Sequence, residues 1–243
     1  MKYAVLVVFA LMLAQTVSAD TLTFDDPLSG WTTDRHDPAS FAIDNSTFAG
    51  NNVLTIKIDG SQQQTSSFYN YQGKLHAFPL TGGTQTYSIE QYVDATNWGS
   101  QDINAGFWGV GNDSSSATSA YPIIVYRQGT GVAVAGYYSF DYMVGGWNYL
   151  GAATANAWNT LKIQLTPGVG MTYSVNGTQL GATADPDTAS LSDVILNTYN
   201  FGQNYQVSYD NLSATSVTPL PSAAMAGGLL LGGFGLTRRR RAA

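Results

Sequence analysis

Short runs in which apolar and polar residues alternate one for one fill the middle of this chain, and they restrict it to antiparallel strands with one buried face. Leu54, Ile56 and Ile58 alternate with Thr55 and Lys57, and Leu161, Ile163 and Leu165 with Lys162 and Gln164. Met171, Tyr173 and Val175 alternate with Thr172 and Ser174, and Asn176-Gly177 follows at once, the dipeptide that accepts positive φ at both centres of a tight hairpin turn. Further strands are expected at 86–93, 103–110, 123–127, 132–138, 194–201 and 205–214. No stretch between Asp20 and Thr218 carries a helical period, and no fixed repeat is present, which disfavours propellers and solenoids. About ten short strands separated by Gly, Asn, Asp and Pro predict an all-β sandwich.

The two ends are different in kind. Lys2, an apolar run over 4–14 and Val17-Ser18-Ala19 have the layout of a secretory signal helix, so residues 1–19 are expected to be removed and the mature chain to begin near Asp20. At the other end Pro219-Leu220-Pro221 precedes an apolar run of about 16 residues and then Arg238, Arg239, Arg240 and Arg241. Such a run is short but can cross a bilayer, with the arginines held on the cytoplasmic side. The layout of residues 215–221 followed by 222–243 resembles the PEP-CTERM sorting signal of Gram-negative bacteria, with Leu220 where the namesake motif carries Glu. That resemblance implies an exosortase-type processing partner, passage through the inner membrane as an inserted intermediate, and a final place on the cell surface or in the extracellular matrix. A plain C-terminal membrane anchor is the alternative.

Charge changes its meaning once the ends are set aside. The whole chain has a net charge of -6; removing Lys2 and the four terminal arginines, five positive charges, leaves -11. Five basic residues against sixteen acidic ones is the wrong balance for gripping phosphate backbones, which excludes nucleic acid as a natural partner. Cysteine is absent, so disulfide scaffolds, thiolate metal sites and Cys nucleophiles are excluded together.

Trp158 to Leu165, then Tyr173-Ser174-Val175-Asn176-Gly177, and finally Tyr209-Asp210-Asn211-Leu212-Ser213 resemble the second half of a concanavalin A-like or laminin G-like jelly roll. The resemblance implies that a Trp opens a long strand, a Val-Asn-Gly hairpin follows, and the last strand returns beside the first. Phe24-Asp25-Asp26 through Gly30-Trp31 suits a galactose-binding-like sandwich instead. The alternation slips near Asp210 and Asn211, where a bulge would re-aim side chains. Pairing of first and last strands would bring Asp25 or Asp26 toward Asp210, an oxygen cluster of the kind that suits a structural Ca²⁺. The alternative is that these aspartates only shape turns.

Catalytic patterns are missing. The Glu-x-Asp-x-x-Glu strand of glucanases on the concanavalin A-like fold does not occur, and Glu90 is the chain's one glutamate. Glu90 and Asp94 share a strand face but stand about 13 Å apart at about 3.3 Å per residue, whereas a retaining pair needs about 5 Å. His36 and His76 are isolated, and neither a Gly-x-Ser-x-Gly elbow nor a phosphate-binding glycine loop occurs. No catalytic residue is assigned.

Binding fits the residues better. Aromatic rings suit the apolar faces of sugars, with amides and carboxylates beside them. The densest aromatic stretch, residues 137–149, breaks at Gly145-Gly146 and is expected to present Trp147 at a loop tip, with Asn148 and Asp141 as polar neighbours. Trp98, between Asn97 and Gly99, is a second candidate, while Trp31, Trp108 and Trp158 read as core. The sequence therefore predicts an exported two-sheet antiparallel jelly-roll sandwich over 20–214, flanked by a signal helix and a transmembrane helix. It is expected to bind carbohydrate or to serve as a matrix component without a cofactor, apart from that structural calcium. The alternatives are a glycoside hydrolase or polysaccharide lyase on the same fold and a purely structural surface protein.

Overall fold

The computed structural model describes residues 16–218 apart from 26, 27, 49 and 144. Asp26, most of the expected leader, and Pro219, Pro221 and Arg238 to Arg241 lie outside the described residues. No helix among the described residues is long and apolar enough to cross a membrane.

Sixteen strands form two antiparallel sheets of eight. Sheet A holds β1 (Thr16–Leu22), β3 (Ser40–Asp44), β4 (Val53–Ile58), β6 (Thr84–Val93), β12 (Ala157–Thr166), β13 (Gly170–Val175), β14 (Thr178–Ala184) and β16 (Tyr205–Thr218). Its order is β14-β13-β12-β6-β16-β4-β3, with β1 paired to β16. Sheet B holds β2 (Trp31–Thr33), β5 (Tyr71–Ala77), β7 (Ile103–Asn112), β8 (Thr118–Ala120), β9 (Ile123–Gln128), β10 (Gly136–Asp141), β11 (Gly146–Gly151) and β15 (Ser190–Tyr199). Its order is β11-β10-β9-β7-β15-β5-β2, with β8 paired to β7.

The alternating runs do what their period dictates. Leu54, Ile56, Tyr87, Ile89, Leu161, Ile163, Leu165, Tyr173 and Val207 from sheet A meet Ala105, Phe107, Ile124, Tyr126, Tyr137, Val194 and Leu196 from sheet B in one core between the layers. Asn176 and Gly177 both have positive φ, 49° and 79°, and close the two-residue hairpin between β13 and β14. The slip near Asp210 is a register shift of β16 against β6 between Asp210 and Ser213, with Asn211 at φ 50°. The last strand lies beside the first, Leu22 opposite Leu212, and this pairing runs on to Thr16 opposite Thr218. Strand thus continues through residues that the sequence assigns to leader and spacer.

Two features prepare the outer face of sheet B. The Tyr209 hydroxyl of sheet A donates across the core to the Gly106 carbonyl of sheet B at 3.1 Å, which pins the central strand β7 from beneath. A second apolar cluster, Trp108, Val110, Ile123, Val125, Tyr138 and Ile195, covers that outer face, with Tyr71, Leu75, Val132, Phe140 and Trp147 packed against it. The inner and outer faces of β7 and β9 are therefore both covered, and side-chain burial in β7 shows no alternation.

Candidate functional site

Register across sheet B sorts its outer face into rows. One row runs Trp147, Phe140, Ile123, Trp108, Ile195, Leu75 from β11 to β5. The next runs Tyr149, Tyr138, Val125, Gly106, Asn197, Gly73. Beyond it Arg127 of β9 stands opposite Gly136 on one side and Asn104 on the other, and Tyr199 of β15 stands opposite Tyr71 of β5. Six strands at a spacing of about 4.8 Å make this face roughly 24 Å wide across the strands.

Both arginines between Asp20 and Thr218 converge here. The Arg127 guanidinium lies 4.7 Å from the Trp147 ring centre and 5.4 Å from that of Tyr138. Gly136, its neighbour across the ladder, adds no side chain in its way. The Arg127 guanidinium forms no ion pair or hydrogen bond with any described residue, and the residue is half-buried. Arg35 comes from the segment that follows β2 and runs beside β5, where Asp34 N donates to Gly73 O at 3.2 Å and Gly73 N donates to His36 O at 3.0 Å. Its guanidinium sits 4.5 Å from Trp108 and 4.9 Å from Phe68, and it is paired with Asp34. Burial raises the Asp34 carboxyl above its ordinary range, and Arg35 opposes that shift.

The floor between the arginines is polar and tight. Asn197 is completely buried and stands between Gly106 and Gly73. A Cβ on Gly106 would lie 2.5 Å from both Asn197 Oδ1 and Trp108 Nε1, so only glycine leaves those two polar atoms facing one another. Asn197 Oδ1 and Nδ2, Trp108 Nε1, Asn104 Oδ1 and Arg35 Nε are buried without a hydrogen-bond partner among the described residues. Buried polar atoms are normally paired; five further ones without a partner among the described residues, on Gln72, Gln91, Gln101, Tyr137 and Tyr173, lie away from this face.

Exposed aromatics edge the face. Phe68 is 56% exposed beside Arg35, and Tyr149 is 44% exposed and packs on Tyr138 at 5.2 Å. Tyr71 packs on Trp108 at 5.2 Å and on Tyr199 at 4.9 Å. Burial pushes the Tyr71 hydroxyl up from its ordinary range and Tyr199 adds to this, whereas Arg127, Arg35 and the Asn104 amide pull it back. Tyr71 is therefore a neutral donor at pH 7 and not a ready base.

The sequence candidates are placed unevenly. Trp147 is on this face, but on strand β11 and half-buried under Arg127 rather than at a loop tip. Asn148, next in the strand, points to the opposite side, and Asp141 accepts from Met143 N at 2.9 Å in the turn. Trp98 is 2% exposed in a short helix, α1 (Ala95–Trp98), donates to Gln206 O at 2.9 Å and packs on Tyr126. It backs a cleft of about 330 Å³ with Lys57, Asp94, Asn97 and Gln206 but offers no ring face for stacking. Trp108, expected in the core, sits on the outer face, and Trp158 is half-buried outside sheet A with Phe48 and Tyr92.

Each described calcium candidate has amide or hydroxyl donors. Asp25 accepts from Thr23 and Asn52 at 2.6 and 3.0 Å, which hold its carboxyl below the usual range. Asp210 accepts from Asn51 Nδ2 and Asn211 N, both at 2.7 Å. Among the described residues no three His, Cys, Asp or Glu gather to hold a metal. Glu90 receives Asn211 at 2.8 Å on the outer face of sheet A, while Asp94 caps α1. His36 and His76 stand against the Asp37 and Ala77 carbonyls.

The residues missed from sequence are Arg35, Arg127, Asn104, Asn197, Gly106 and Tyr71. One signal was present: a strongly acidic domain with only two arginines gives each of them unusual weight.

No family model matches the chain, and no curated protein matches it. Solved structures match it in fold. The CBM2 module of Lactobacillus casei BL23 phage J-1 evolved Dit aligns at 7% identity and TM-score 0.55, over 85% of this chain and 98% of that one. "Cellulose induced protein, Cip1" aligns at 10% identity and TM-score 0.54, over 82% and 96%. A GlcNAcα1-4Gal releasing endo-β-galactosidase from Clostridium perfringens aligns at 9% identity and TM-score 0.54, over 85% of this chain. The chain spans 63% of that enzyme, and 17% of a sialidase that also matches at TM-score 0.49. At these identities the likeness establishes the two-sheet, jelly-roll-like architecture.

Proposed function

We propose that the outer face of sheet B binds a polysaccharide laid across its strands, and that the protein is an exported surface or matrix component rather than a catalyst. The observation that carries this reading is the grouping of aromatic rings around an unpaired guanidinium on one face. Tyr149 and Phe68 are exposed, Trp147 is half-buried beside them, and the Arg127 guanidinium offers donors whose partners the described residues do not supply. Sugars present both kinds of surface at once. The neighbours named for cellulose and for release of GlcNAcα1-4Gal accord with a carbohydrate ligand.

The reading as a non-enzyme is supported by Tyr71, whose hydroxyl burial pushes above its ordinary range. Tyr71 between two arginines is the arrangement that favours the lyase alternative. A panel of polysaccharides assayed both for retention and for new reducing or unsaturated ends decides between them. Retention without new ends supports the binder, new ends establish an enzyme, and neither leaves a structural protein. Export and exosortase-type sorting rest on the two terminal segments. Mass spectrometry of the mature chain is expected to find a start near Asp20 and loss of the arginine tail.

A further inference from the structure

We infer that the ligand is an acidic polysaccharide, and that Arg127 is the residue that receives its carboxylates. This deepens the proposed binding role and rests on it. The domain is acidic throughout, so a cation with no partner is an expensive choice on a face that neutral sugars could occupy without one. Of the other four basic side chains in the domain, two are ion-paired and two stand on the other sheet. Arg35 is paired with Asp34 and Lys74 with Asp37 at 2.8 Å, while Lys57 and Lys162 belong to the strands of sheet A. Arg127 alone is held on the ring-lined face of sheet B with no carboxylate against it.

Its setting prepares it for an anion. Trp147 and Tyr138 pack against the guanidinium, so less freedom is lost when a planar carboxylate meets its fork of donors. Asn104 stands opposite Arg127 in register and is buried in the floor beside it. The carboxylates near this face have other partners or lie farther off: Asp34 is paired with Arg35, Asp102, two residues before Asn104, accepts from Thr130 N, and Asp193 stands opposite Val110, three rows along from Asn104. Rings for the sugar faces and an unpaired guanidinium for a carboxylate together describe a uronate-containing chain.

The experiment compares retention of the intact protein on polygalacturonate with retention on the same polymer after methyl esterification, at low and high salt. The expected result is at least tenfold tighter binding to the free acid, weakened by salt. Arg127→Gln should abolish that preference, so that free acid and ester are retained equally. Arg127→Lys, which keeps the charge but not the fork, should retain only part of the preference, and both variants should melt within a few degrees of the parent. Equal binding of acid and ester by the parent overturns the inference and leaves a neutral-glycan binder. An intact preference in Arg127→Gln overturns the role of Arg127. Retention of neither form, while a neutral glycan from the wider panel is held, overturns the acidic ligand alone; retention of nothing in the panel removes the binding reading itself.

Discussion

The two sheets expose outer faces of opposite character. On sheet A the outward positions of β6, β12 and β13 carry Ser88, Glu90, Thr160, Lys162, Gln164, Thr172 and Ser174, with one aromatic group of Tyr92, Trp158 and Phe48 at one end, and burial alternates along most of each strand. On sheet B the outward positions carry Trp108, Val125, Tyr138, Phe140 and Trp147, and the alternation disappears in β7. Sheet A meets water on one side and spends its specificity on folding. Sheet B has a second covered face, where an aromatic cluster surrounds the two arginines of the domain.

The strongest test of this difference is Gly106→Val. Its branched side chain would drive into Asn197 Oδ1 and Trp108 Nε1, each 2.5 Å from the Cβ position. Overpacking of this kind costs about 1–3 kcal/mol, and retention of polysaccharide should be lost altogether. Thermal melting should show a fall of several degrees. Thr160→Val on the exposed face of sheet A should leave both readings within about 0.5 kcal/mol of the parent.

Next in size is a matched pair of tryptophans. Trp147→Ala removes the platform under Arg127 and should weaken retention about tenfold or more, ~1.4 kcal/mol. Trp158→Ala removes a ring of similar exposure packed on Tyr92 and Phe48, 5.4 and 5.0 Å away, and should leave retention unchanged. Equal losses from the two variants, measured by affinity electrophoresis, would erase the distinction between the faces.

The smallest effect is in acid. Hydroxyls of Ser46 and Thr47 hold the Asp44 carboxyl below the usual range, and Lys74 and Thr33 do the same for Asp37. Folded values below the unfolded ones mean that this stability is complete above about pH 4 and is lost as pH falls through the lowered values. Melting temperature should therefore drop below about pH 4.

Sheet A was legible because its inward and outward neighbours differ in polarity, so period two showed in Leu161 to Leu165 and Met171 to Val175. The Asn176-Gly177 turn was legible because its cause is local, and so was the slip at Asp210. The site was not. Trp108 reads as core because a ring in an apolar run looks the same on either face of a sheet. Arg35 and Arg127 meet only through strand order, Arg35 riding beside β5 and Arg127 lying on β9 with β7 and β15 between them. Trp147 was found for its aromatic company, but the loop expected there was a strand, since Gly146 pairs with Asp141 instead of ending the ladder.

The pairing of Thr16 with Thr218 sets both ends of the domain side by side in sheet A, on the layer away from the arginines. A bead, a surface or a lipid bilayer attached through either terminus would therefore hold the molecule by the same pole. Polymer could then reach the opposite layer without passing the point of attachment.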